Sequence, residues 1–183
     1  MGISRIRFSQ NALLACVLII LLGCIQQREK EPRGVYKLYS THDVRQLPPG
    51  AKIIELGHTL SDEDIVLMGE MPNLEEIRCG GRLQIGDESL HRFSVYSSLK
   101  IINLAYAPNI TDAGIAYLFV LPKLEELHVI GSKYLTDRSL ATLSSMKSLR
   151  TLVIVPNTFS AQAILSLRNT LPKCAITIPD DGQ

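Results

Sequence analysis

LEELHVIGSKYLTDRSLATLSSMKS, residues 124–148, is one complete unit of a pattern that begins again at Leu149. Such openings fall at Leu74, Leu99, Leu124 and Leu149, 25 residues apart each time, and read LEEIRC, LKIINL, LEELHV and LRTLVI. The alternation after each leucine has the period of a strand. Three units continue through IGDESLHRF, ITDAGIAYL and LTDRSLATL, where a small or hydroxyl residue and an aspartate precede apolar residues at helical spacing. A fixed period of this length predicts stacked strand-helix units, because one unit cannot bury its apolar face alone.

The helix starts follow from side-chain chemistry. Ser61, Thr111, Thr136 and Ser160 can accept a bond from the first free backbone N–H groups, with Gly86 in the same place in the second repeat. Asp62, Asp87, Asp112 and Asp137 follow just inside, where a negative charge complements the helix dipole. Helix starts explain these aspartates without a metal ion. The inward set is Ile77 and Cys79, Ile102 and Leu104, Leu127 and Val129, Leu152 and Ile154, joined by Leu90, Ile115, Leu118, Leu140 and Leu143 from the helices.

This grammar resembles the leucine-rich repeat, and more narrowly its cysteine-containing type with an ITDxGL-like helix start. The resemblance implies a short α/β solenoid of about five strand-helix repeats over residues 51–173, closed by caps. Residues 35–50 form the expected N-terminal cap: VYKLYS alternates, Thr41 can cap a short helix through Leu47, and Pro48-Pro49-Gly50 stops it. A shorter first repeat, Ala51 to Asn73, follows. Residues 174–183 are the expected C-terminal cap strand and tail, and the ending LPKCAI is similar to what often closes bacterial proteins of this type.

At the other end, Arg5 and Arg7 precede an apolar run from Ala12 to Leu22 that ends Leu21-Leu22-Gly23-Cys24. Residues 1–23 read as a secretory signal. The run looks like a bacterial lipoprotein signal, which implies that Cys24 carries a diacylglyceryl group and becomes the first residue. Ile25 after the cysteine implies outer-membrane sorting in a Gram-negative cell. Residues 24–34, rich in Gln, Arg, Glu and Lys, form the expected tether.

Composition excludes more than it assigns. The 183 residues include 19 basic and 18 acidic ones, a net charge of +1, and removal of residues 1–23 leaves 17 basic against 18 acidic. Nothing in that balance calls for nucleic acid. His42, His58, His91 and His128 form no HExxH pattern, and CxxC, GxSxG, GxGxxG and GxxxxGK are absent. The sequence therefore predicts no catalytic centre, cofactor, metal site or small-molecule substrate. Cys79 and Cys174 fall four strand spacings apart, about 19 Å against a disulfide limit near 7 Å, so both are expected as free thiols.

The candidate site is the concave face of the sheet, where the outward strand residues align. One column reads Ile53, Glu76, Ile101, Glu126, Thr151; the next reads Glu55, Arg78, Asn103, His128, Val153; a third of Gly57, Gly80, Ala105, Ile130 and Val155 has Tyr106 beside it. Glu55, Glu76, Arg78, Asn103, Tyr106, Glu126 and His128 are the expected binding residues, for a protein partner. The leading expectation is a lipid-anchored interaction module of the bacterial envelope. The same repeat type resembles the substrate-recognition arm of F-box ubiquitin-ligase adapters, and the short array also resembles a mitochondrial coupling factor of ATP synthase; both are kept as alternatives.

Overall fold

The computed structural model describes residues 34–79, 81–154 and 159–178. The signal segment, Cys24, the tether up to Arg33, Gly80 and Val155 lie outside the described residues, as does the side chain of Cys79. The chain divides at Arg33/Gly34, and the second unit holds the repeats.

Strand and helix alternate along the whole unit. The order is β1 (Val35–Leu38), α1 (Thr41–Arg45), β2 (Ile53–Leu56), α2 (Asp62–Ile65), β3 (Glu76–Cys79), α3 (Asp87–Phe93), β4 (Ile101–Ala105), α4 (Asp112–Leu118), β5 (Glu126–Ile130), α5 (Asp137–Ser144), β6 (Thr151–Ile154), α6 (Ala161–Thr170) and β7 (Ala175–Thr177). The seven strands form one parallel sheet in sequence order, so each unit touches only its neighbours, consistent with a short leucine-rich repeat solenoid. Five strand-helix repeats lie between β1-α1 and β7, as the sequence predicts.

Register carries the sequence period into space. Glu76 pairs with Ile101 and Glu126 with Thr151, a step of 25 residues, whereas Ile53 pairs with Glu76 at a step of 23. The shorter first step arises between strand and helix, where four residues join Leu56 to Ser61 and six join Cys79 to Gly86. Ile77, Ile102, Leu104, Leu127, Val129, Leu152 and Ile154 face the helices and are buried with Leu90, Ile115, Leu118, Leu140 and Leu143. Each such side chain contributes about 1.5–3 kcal/mol. Cys174 is a free, half-buried thiol whose pKa burial raises.

The N-terminal cap is a strand and a helix, with one correction. Ser40, not Thr41, is the capping residue, accepting from Asp43 N at 3.3 Å. Thr41 is the first helical residue, and its hydroxyl donates to Asp64 across 2.5 Å, which ties the cap to the first repeat. The helix also ends at Arg45, before Leu47.

Thr111, Thr136 and Ser160 cap their helices, accepting from Ala113, Arg138 and Ala163 at 3.2, 3.3 and 3.1 Å. The aspartates behind them have a second role that the dipole reading does not contain. Asp87 accepts the N–H of Thr111 at 2.8 Å and its hydroxyl at 2.6 Å, so it starts one helix and fixes the start of the next. Asp112 does the same for Thr136, with its N–H at 2.8 Å, and Asp137 for Ser160, with bonds of 2.8 and 2.7 Å. Asp62, whose successor cap is a glycine, takes Gly86 N at 2.7 Å and Ser89 N at 3.2 Å instead. This ladder runs along the edge where helices begin. It needs room, and Ser89, Gly114 and Ser139, 25 residues apart and buried, supply it. A Cβ on Gly114 would collide with the Asp87 carboxylate.

Candidate functional site

The strand residues that do not enter the core lie on the open face of the sheet, opposite the helices, because side chains alternate along a strand. Strands β2, β5 and β6 show this directly as half-buried and buried residues in turn. The first column is in register: Ile53, Glu76, Ile101, Glu126 and Thr151 are successive partners. In the second column Glu55 pairs with Arg78, and Asn103 with His128 and then Val153.

The sequence-predicted residues fall into two clusters and a rim. Glu76 and Arg78 stand two apart on β3, and Arg78 Nε donates to Glu76 Oε1. That hydrogen bond, with a weaker contribution from Glu55, holds the guanidinium pKa above its ordinary value. On β5, His128 Nε2 lies 3.0 Å from Glu126 Oε1 but is buried and lacks hydrogen-bond alignment with it. Asn103 lies on β4, between the two pairs, half-buried. Glu76 is thus paired with a guanidinium, and the half-buried Ile53 and Ile101 flank it in the first column.

Tyr106 is not on the sheet face. It stands in the bend after β4 and is 60% exposed, at a φ of 62°. Gly81 and Gly131, one repeat before and one after, also have positive φ, which costs an L side chain roughly 1–2 kcal/mol and a glycine little. The bend is needed because the Tyr106 carbonyl accepts Leu83 N at 3.1 Å, joining two repeats. Gly131 must also stay bare, since a Cβ there would lie 3.1 Å from Tyr106 Cα. Tyr106 thus occupies a glycine position and projects from the rim.

The columns continue onto the terminal strands, with Val35 next to Ile53 on β1 and with Ala175 and Thr177 next to Thr151 and Val153 on β7. Lys37 on β1 pairs with Glu55 and extends the second column by a strand. The alternation of Val35-Tyr36-Lys37-Leu38 contains that information, but an irregular cap gives no repeat period by which to align it. Among the described residues no group of three His, Cys, Asp or Glu side chains could hold a metal ion. The first column offers two carboxylates, Glu76 beside a guanidinium and Glu126 beside an imidazole, with Ile53 and Ile101 in the same column, which suits the seating of an extended segment. The chain matches no family model and no curated protein sequence at a significant level.

Proposed function

We propose that the protein is a bacterial envelope lipoprotein of the cysteine-containing leucine-rich repeat type, lipid-anchored at Cys24, that binds a protein segment on the open face of its sheet and has no catalytic role. The N-terminal reading rests on Arg5, Arg7, the apolar run and Leu21-Leu22-Gly23-Cys24. The observation that carries the binding reading is the in-register column of Ile53, Glu76, Ile101, Glu126 and Thr151, in which apolar and acidic side chains alternate over the first four strands and a hydroxyl follows. Such a strip can take apolar side chains of a ligand while its carboxylates take N–H groups. The intracellular adapter and coupling-factor readings share the repeats, and the apolar N-terminal run favours the envelope.

Cross-linking in cells, comparing wild type with a triple Arg78→Ala, Asn103→Ala, His128→Ala variant, tests the face. Partners captured by the wild type should be lost or at least severalfold depleted in the triple variant. Recovery of the same proteins in equal amounts contradicts the assignment of this face.

A further inference from the structure

The edge where helices end and strands begin carries an exposed apolar row. Val66, Leu67, Val95, Phe119 and Val120 all stand there, with Phe119 and Val120 exposed by 55% and 63%. Val95 and Val120 occupy the same place in consecutive repeats. These residues sit on the turns that follow the helices and are exposed there.

The same edge has an excess of cations, although Glu70, Glu75 and Glu125 also stand on it, and those cations differ in how they are matched. Towards the N-terminus, Lys52 and Lys100 both reach Glu75, at 3.7 and 2.8 Å. Towards the C-terminus, Lys147 is held by two carbonyls, those of Ser144 at 2.8 Å and Thr170 at 3.3 Å, which fix its position without neutralising it. Lys147, Arg150 and Lys173 surround a cavity of about 150 Å³ with Leu149, Leu171 and Pro172 among its walls, and no acid lines it among the described residues. The opposite edge is acidic, with Asp62, Glu63, Asp87, Glu88, Asp112 and Asp137 in the first turns of successive helices.

We infer that the helix-end edge docks on an anionic bilayer surface, with Phe119 and Val120 entering the interface and Lys147, Arg150 and Lys173 receiving lipid headgroup anions. Exposed apolar side chains on turns, flanked by cations, suit shallow burial at the boundary of headgroups and acyl chains. Cations without acidic partners are attracted to an anionic leaflet, each strengthening contact roughly fivefold, and the acidic edge is turned away by the same field. This contact does not depend on the anchor at Cys24. It sets which way an anchored domain lies, and leaves the open face of the sheet accessible from the side.

The chain contains no tryptophan, so single probes read cleanly. Phe119→Trp and Tyr134→Trp place one indole on each edge of the full-length protein, Tyr134 being 53% exposed on the helix-start side. Both are mixed with phosphatidylcholine vesicles, with or without phosphatidylglycerol, that contain brominated lipid. The Phe119→Trp probe should blue-shift and be quenched only where phosphatidylglycerol is present, and the Tyr134→Trp probe should not respond. Adding Arg150→Glu and Lys173→Glu should cut the quenching at least tenfold while the circular dichroism melt is unchanged. The inference is overturned if the Phe119→Trp probe stays unquenched on phosphatidylglycerol, if both probes are quenched alike, or if quenching ignores headgroup charge. It is also overturned if the blue shift appears without vesicles as protein concentration rises, which would mark a second copy, or only with an acidic polypeptide such as polyglutamate. Labelling of Cys24 is read separately, so failure here leaves the anchor proposal standing.

Discussion

The two edges of the solenoid are both rich in charge, and they use it oppositely. Where helices start, the carboxylates of Asp62, Asp87, Asp112 and Asp137 are engaged by the next repeat's cap, so a row of acids that looks like a binding strip is a structural seam. Where helices end, Glu75 serves two lysines, and beyond it Lys147, Arg150 and Lys173 line a cavity that has no acid among the described residues. Charge density alone therefore says little about function. The state of pairing separates the seam from the available surface.

The largest effect expected is at the seam. Asp87→Ala removes two charge-assisted bonds and leaves the Thr111 N–H without its acceptor, which should lower unfolding free energy by about 2 kcal/mol in urea titration. A loss below about 0.5 kcal/mol would mean that water serves the Thr111 group equally well. Gly114→Ala is the next test. In an ordinary helix the change stabilises by about 1 kcal/mol, but here the new Cβ meets the Asp87 carboxylate, and a net destabilisation of about 1–2 kcal/mol is expected. In the Asp87→Ala background the same substitution should become neutral or stabilising, a coupling that a double-mutant cycle measures.

Acid sharpens the contrast at smaller amplitude. The hydroxyl of Thr41, followed by the N–H of Ser61, holds Asp64 below its ordinary pKa of 3.8, and bonds from Ser160 do the same for Asp137. A depressed folded-state pKa means stability that is complete above the ordinary value and is lost as pH falls through the folded one. The wild-type melting temperature should fall below about pH 4, and Asp64→Asn should make that fall shallower. The smallest effect belongs to the other edge. Lys173→Ala should change stability by less than about 0.5 kcal/mol, since its charge has no acidic partner among the described residues, while weakening any contact with anionic lipid.

The repeats were legible because burial writes itself into sequence. Leucines at a spacing of 25 and a strand period after each one gave the parallel sheet, its register and the inward residues. The aspartates were legible as helix starts but not as a ladder, because their partners lie 23 to 27 residues away. The small residues Ser89, Gly114 and Ser139 were the available sign that something occupies the space above them. Ser40 escaped because a run of Ser40, Thr41 and His42 leaves the first helical residue ambiguous. The pairing within the site was half visible: Glu76 with Arg78 and Glu126 with His128 stand two apart, which puts each pair on one face of a strand. The rim position of Tyr106 was hidden, since only its place in line with Gly81 and Gly131 hints at positive φ. The exposed apolar row was hidden too, because Val95, Phe119 and Val120 lie among the buried Phe93, Tyr96, Leu118 and Leu121, and composition cannot tell which apolar residue of a turn faces out.

The functional account turns on Cys24, and intact mass with fatty-acid labelling of the full-length chain expressed in a bacterium, beside Cys24→Ser, tests it most directly. The account predicts a labelled species whose mass begins at Cys24, absent in the variant. An unlabelled, uncleaved wild-type chain would contradict the lipoprotein assignment and bring the intracellular adapter and coupling-factor readings forward.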